Sequence, residues 1–343
     1  MQTLRVATPS LLGSASAAER QSALSAIRRL DSLAAERGAV LSIGSVLADD
    51  RADASLAAWA AELVQTTRVT SFSVTVASAA RGLHRRSSVT AAEVIVALSR
   101  ATASGTANFR FAAAANVPAG TPFFPVAYHE GPNALAVGVE SPRVLHQAIV
   151  GGGDAEGAEL RIRDALDNAL APIASLAAAS ARDETWTYLG IDPSPAPGLD
   201  SSIGETIEAL TRTPFGGPST LGACATITGA LKQLRVATCG YAGLMLPVLE
   251  DPVLARRAAE GRFGIRDLLL FSSVCGTGLD VVPLPGDTPP DVLARVIADM
   301  AALATRLRKP LSARLFPVPG KRAGEGIELD DPHLTRSVAL AVE

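Results

Sequence analysis

The chain has 343 residues, of which 48% are hydrophobic and 19% charged, so it can bury a sizeable core and lacks the profile of a disordered polypeptide. A net charge of −3 gives no electrostatic footprint for nucleic acid or an anionic membrane surface. Three cysteines, Cys224, Cys239 and Cys275, are too few and too scattered for a disulfide framework, and none stands in a zinc-type spacing with histidine.

The N-terminus lacks a basic segment followed by a sustained apolar run, and apolar runs elsewhere stop short of about 18 residues. A cytoplasmic protein is therefore expected. Apolar positions at helical spacing (Leu24, Ile27, Leu30, Leu33) predict a helix over 15–37, which Gly38 ends. A buried strand follows at Val40–Gly44, a helix at 53–66 and an alternating strand at Val69–Val76. Thr90-Ala-Ala-Glu93 reads as a capping box that opens a third helix. Strands are predicted at Asn108–Phe111, Ala134–Val139, Thr185–Ile191 and Ala313–Val318, and helices at 155–182, 202–211, 219–235, 251–260 and 289–308. No internal repeat is evident.

Helix and strand alternate, which favours parallel strands joined by crossover helices. About eight to ten strand candidates fit a closed α/β barrel or a large doubly wound sheet. One domain spanning 1–343 is expected, with a flexible loop at 151–155 in the Gly151-Gly-Gly-Asp154 run.

Polar residues suited to chemistry gather in loops. Phe123-Phe-Pro-Val-Ala-Tyr128-His129-Glu130 delivers a phenol, an imidazole and a carboxylate in succession, with Glu140 one strand later. There His129 is a candidate general base or metal ligand, and Tyr128 a donor to substrate. Of the other histidines, His84 sits in a basic, surface-like stretch. The run Ile191-Asp192-Pro-Ser194 leads through a proline-stiffened loop to Asp200, Ser201 and Glu205. Asp192, Asp200 and Glu205 are oxygen ligands suited to a divalent cation such as Mg²⁺ or Ca²⁺. For Asp200 and Ser201 the plainer alternative is helix capping.

The run Phe271-Ser-Ser-Val-Cys275-Gly276-Thr-Gly278-Leu-Asp280, closed by Gly286-Asp287, places a thiol between a helix end and a strand. Cys275 reads as either a reactive thiol or a small buried hydrophobe, and Asp280 or Asp287 as a proton acceptor or metal ligand. Arg314 lies in the last strand, and Pro319-Gly320-Lys321 makes the tight turn after it, where Lys321 is suited to a carboxylate or phosphate. A weaker block, Gly240-Tyr241…Glu250-Asp251, offers close backbone approach and a carboxylate pair, with Asp251 explained as a helix cap before Pro252. No phosphate-binding GxxxxGK[ST] or dinucleotide-binding GxGxxG pattern is present, so no nucleotide cofactor is indicated.

Taken together, FFPVAYHEG with AVGVES, GIDPSPAPG with SIGETIE, GYAGLMLPVLED, SSVCGTGLDVVPLPGDT and ARLFPVPGKRAG resemble the DUF711 (UPF0210) family of uncharacterised proteins over roughly residues 105–330. The resemblance implies a barrel of about ten strands wrapped by helices, like that of pyruvate formate-lyase and anaerobic ribonucleotide reductase. In such barrels a cysteine rides on an interior loop and a C-terminal glycine stores a radical. By that analogy Cys275 and Gly320 belong together. Gly320, however, lies in Pro-Val-Pro-Gly-Lys and lacks the Arg-Val-x-Gly-Tyr context of the radical enzymes. A stored radical is not expected.

The leading expectation is an enzyme acting on a small polar or anionic metabolite in a deep polar pocket. Cys275, His129, Tyr128 and Asp280 would be catalytic, and Glu140, Ser194, Arg314, Gly320 and Lys321 would bind substrate. Asp192, Glu205 and Asp287 would hold the divalent cation. A non-catalytic metabolite- or cation-binding protein and a glycyl-radical-type enzyme are the alternatives. The alanine-rich helices 155–182 and 219–235 are candidates for a homodimer face.

Overall fold

A computed structural model describes residues 3–102, 104–152 and 157–342. Residues 153–155 of the expected flexible loop lie outside the described residues. β1 (Leu4–Ala7) leads to α1 (Ala17–Glu36), β2 (Ala39–Ser45), α2 (Leu56–Thr66), β3 (Thr70–Ser78), β4 (Gly82–Leu83) and α3 (Arg85–Ala101). A 3₁₀ turn (Thr106–Arg110) feeds β5 (Phe111–Ala115), then β6 (Ala134–Gly138), α4 (Pro142–Val150), α5 (Ala158–Asp183) and β7 (Thr187–Asp192). The rest comprises α6 (Ile203–Thr211), α7 (Thr220–Lys232), α8 (Pro252–Ala259), α9 (Ile265–Ser272), β8 (Gly278–Pro285), α10 (Pro290–Leu307), β9 (Leu311–Val318), β10 (Gly326–Ile327) and β11 (Ser337–Val338).

The fold is mixed α/β. Among the described residues seven strands form one sheet in the order β1-β2-β3-β5-β9-β8, with β4 beside β3. Neighbours run parallel except at β3/β4 and at β5/β9, where Ala113 faces Ala313 across an antiparallel joint. Two parallel sets of strands therefore meet head to tail. β3, β5, β8 and β9 are almost wholly buried, as expected of strands covered on both faces, whereas β1 is an exposed edge. β6 and β7 form a separate parallel pair. Parallel bridges Ile191–Thr238 and Pro247–Asp280 thread the 238–247 segment between β7 and β8. Among the described strands no hydrogen-bonded ring closes: the seven-stranded sheet and the β6/β7 pair are separate sheets connected by these isolated bridges.

One device recurs in both halves. Asp31 of α1 accepts the N–H groups of Arg68 and Val69 and the Thr70 hydroxyl, fixing the entry to β3. Asp167 of α5 does the same for Arg235 and Val236 at the entry to the 238–247 segment. The repeat is visible only in space, because one connection carries a single helix and the other carries α6 and α7.

Three local expectations are corrected. Thr90 lies inside α3, which starts at Arg85; its hydroxyl accepts the Asp53 N–H instead of capping a helix. His84 is buried at the N-cap of α3, with Nε2 3.0 Å from the Ser78 hydroxyl, and is not a surface residue. α6 is capped by Ser202, neither by Asp200 nor by Ser201.

Asp251 does more than the expected capping. It is fully buried, and its Oδ1 accepts the N–H groups of Val253 and Leu254 at the start of α8 and the Ser202 hydroxyl. Its Oδ2 accepts the N–H groups of Ile203 and Gly204 at the start of α6. One carboxylate thus caps two helices. Asp251→Ala strips both and leaves buried donors bare, so we expect a loss of about 3–5 kcal/mol, read as a lowered urea midpoint at unchanged slope.

Candidate functional site

The polar centre of the molecule forms where β8 meets β9. Their register jumps between Leu279/Ala313 and Val282/Leu315, so Asp280 and Val281 together oppose the single residue Arg314. Such a bulge re-aims a side chain. Val281 is held at φ 45°, a strained conformation for a β-branched residue. Asp280 and Arg314 are buried, with Arg314 Nη1 2.8 Å from Asp280 Oδ1 and 3.6 Å from Glu250 Oε1. Two aromatic faces flank the guanidinium, Phe109 at 5.5 Å and Phe123 at 5.6 Å.

Tyr241 is brought to the same place by the turn 240–243. Asp192, at the end of β7, accepts the N–H groups of Tyr241 at 2.9 Å and Ala242 at 3.1 Å. It also accepts the N–H and hydroxyl of Ser194, and that hydroxyl in turn accepts the Gly243 N–H. Gly240 (φ 68°) lets the backbone pass so close to Asp192 that a Cβ would overlap the carboxylate. Gly243 packs backbone to backbone on Gly276, docking the turn against the start of β8. Ala242 is a second strained residue (φ 45°), so both interior side chains sit next to one. The Tyr241 ring meets Phe123 edge-on, with centroids 5.2 Å apart.

Burial governs the electrostatics. It pushes the Glu250 carboxyl up to about 7, against the opposing pull of Arg314, and raises Asp280 and the Tyr241 phenol as well. Arg5 of β1 adds a second guanidinium, 5.4 Å above the Phe124 ring. Its side chain stays partly exposed at the sheet edge, and partial desolvation with the nearby Arg314 lowers its pKa, while Glu140 and Glu250 oppose the shift. Three buried polar atoms here find no hydrogen-bond partner: Tyr241 Oη, Asp280 Oδ2 and Arg314 Nε. A surface cavity of about 470 Å³ bounded by Leu199, Leu329 and Arg336 shares no residue with this cluster.

Of the residues singled out in the sequence, Asp280 and Arg314 touch each other at this centre, and Glu140 reaches it through Arg5. Asp192 and Ser194 shape it from behind. Cys275 does not join it: the thiol is buried in the core that also holds Cys224, and its carbonyl accepts from Lys309 Nζ. His129 donates its N–H to Thr8 and sets ring Nε2 2.8 Å from the Gly131 carbonyl, while the Tyr128 hydroxyl donates to Val117. Both fasten their loop.

The proposed metal ligands are not assembled. Asp192 already accepts four hydrogen bonds, Glu205 is exposed in the first turn of α6, and Asp287 is exposed beyond β8. No group of three or more acidic, histidine or cysteine side chains suited to a metal occurs among the described residues. Gly320 and Lys321 follow the C-terminal end of β9, tied to the turn after β8 by the Gly286 N–H on the Lys321 carbonyl. Cys275 precedes the N-terminal end of β8, which runs parallel to β9, so the pairing suggested by the radical-enzyme analogy spans the length of a strand, roughly 25 Å.

Tyr241 and Glu250 entered the sequence reading only as a weak fifth block, although two glycines around a buried-looking aromatic were the available signal. Arg5 carried none. Two outcomes follow. Gly243→Ala forces a methyl into the Gly276 backbone and should lower unfolding free energy by about 3 kcal/mol or more, whereas Gly222→Ala, facing open space, should not. The raised Glu250 value means the folded state holds its proton more tightly than the unfolded chain. That stabilisation is complete below about pH 4.5 and lost as pH rises through about 7. With the side chain 23% exposed, we expect a fall of about 2 kcal/mol across this window in denaturation curves, absent in Glu250→Gln.

Comparison with known proteins completes the description. The family model described as "Uncharacterised ACR (DUF711)" matches residues 1–330. A UPF0210 protein of Pyrobaculum arsenaticum is 35% identical over 281 residues, covering 78% of this chain and 61% of its own. Those of Pyrobaculum islandicum and Desulforudis audaxviator are 33% and 32% identical, each covering 90% of this chain. The chain spans 61–72% of the length of these three relatives.

Proposed function

The chain belongs to the DUF711 family, and we propose that it binds a small polar metabolite at the Tyr241–Glu250–Asp280–Arg314 cluster and acts on it as an enzyme by proton transfer, without a stored radical. The observation that carries this reading is the trio of buried atoms without partners. Thirteen buried side-chain atoms lack a protein partner among the described residues, and three of them fall in this one polar cluster, a concentration suited to a guest or an ordered water. Glu250, poised near neutrality beside Arg314, is suited to exchange a proton with that guest, which favours catalysis over mere binding. The cation between Asp280 and Glu250 is Arg314 itself, so the proposal needs no metal at this point.

The barrel implied by the family resemblance belongs to the same proposal. Its support is the parallel bridging from β8 through the 238–247 segment to β7 and β6, which would wall the interior on the side away from β5. The His129 N–H on Thr8 and the Arg5 guanidinium on the Pro122 carbonyl bring the loop before β6 against β1.

Thermal unfolding against a library of small metabolites tests the reading. Tyr241→Phe removes a hydroxyl that has no partner, so the free protein should keep its stability or gain up to about 1 kcal/mol. A compound that raises the melting temperature of the native chain should lose that effect in Tyr241→Phe and in Asp280→Asn. If no compound stabilises in a way that depends on these residues, the proposal fails.

A further inference from the structure

Resting on that site, we infer that the group it recognises is a hydroxyl, bound between the Arg314 Nε–H, the Tyr241 hydroxyl and Asp280 Oδ2. The argument is one of valence. Arg314 Nε can only donate, Asp280 Oδ2 accepts as long as its carboxyl stays ionised in the pair with Arg314, and the Tyr241 hydroxyl can do either. Arg314 Nη1 already binds Asp280 Oδ1, so the orphaned atoms belong to two side chains in direct contact. Tyr241 lies within electrostatic reach of both. A guest that completes the pair must therefore accept from Arg314 and donate to Asp280. One hydroxyl does both: its lone pairs take the Nε–H and its proton goes to Asp280.

The common charged groups fail one side of this requirement. A carboxylate has no hydrogen for Asp280 and adds negative charge beside Asp280 and Glu250. An ammonium has no lone pair for the Arg314 Nε–H and adds positive charge beside Arg5 and Arg314. The Ser312 hydroxyl, which lies beside the Tyr241 phenol, gives its proton to the Thr277 carbonyl and so has none for Asp280. Around Tyr241 the surroundings are Ala112, Ala114, Val126 and Phe123, an apolar wall suited to a short carbon skeleton.

The test uses two matched sets, lactate with propionate and alanine, and lactamide with propionamide and alaninamide, titrated by calorimetry and by saturation-transfer NMR. A site built to hydrogen-bond a hydroxyl should prefer the hydroxy member of a set by roughly 100-fold or more over its deoxy partner. That preference should vanish in both Tyr241→Phe and Asp280→Asn, each checked for native circular dichroism. Equal or tighter binding of a deoxy or amino member, still dependent on these residues, overturns the hydroxyl while leaving the metabolite site standing. Binding of none of the six, with a lone water in density between the three atoms, overturns the inference and assigns the cluster to a structural water. The metabolite site is then decided by the library experiment alone.

Discussion

Burying the Arg314 guanidinium against Asp280 imposes the conditions that the rest of the interior satisfies. An ion pair taken out of water is tolerable only when its geometry is fixed and its remaining hydrogen-bonding capacity is met. The bulge in β8 fixes the geometry, and Phe109 and Phe123 cover the guanidinium faces. Glu250 supplies a second carboxylate that the single cation cannot fully neutralise, which is why burial lifts its proton affinity toward neutrality. What these side chains leave unmet is a short row of polar atoms, and it is there that we place function.

The position of this cluster follows from the sheet. In open α/β proteins with one strand direction, ligands collect at the common carboxyl edge. Here the antiparallel β5/β9 joint sets two parallel groups of strands in opposite senses, so no such common edge exists. Arg314 and Asp280 instead sit within their strands, and loops such as 240–243 must be folded inward to reach them. Close glycine packing and two residues at positive φ are the local signs of that inward fold.

Much of the scaffold was legible in the sequence because it rests on periodicity and caps. The helix read at 15–37 is α1, the strand at Val69–Val76 is β3, and Asp251 caps as its Pro252 neighbour suggested. The candidate site was legible only in part. Asp280 and Arg314 could be picked out as charged residues in apolar strands. The surroundings of Cys275 and Asp192 were not legible, because a thiol or carboxylate after an element end looks the same whether it faces a site or serves the backbone. In the structure one packs beside Cys224 and the other holds a turn through four hydrogen bonds. Arg5 was illegible: its contribution depends on β1 lying near residues some 300 positions away, which no local pattern encodes.

The joint between β5 and β9 also shapes how the molecule comes together in time. Ala113 pairs with Ala313 across a separation of 200 residues, whereas most of the other strand pairs join segments near in sequence. Contacts of such long range are costly in chain entropy to form before their neighbours are in place. Each half can therefore condense first around its own carboxylate clasp, Asp31 in one and Asp167 in the other. Phe109 and Phe123 come from the other side of that joint, so the aromatic cover over Arg314 is completed only across it.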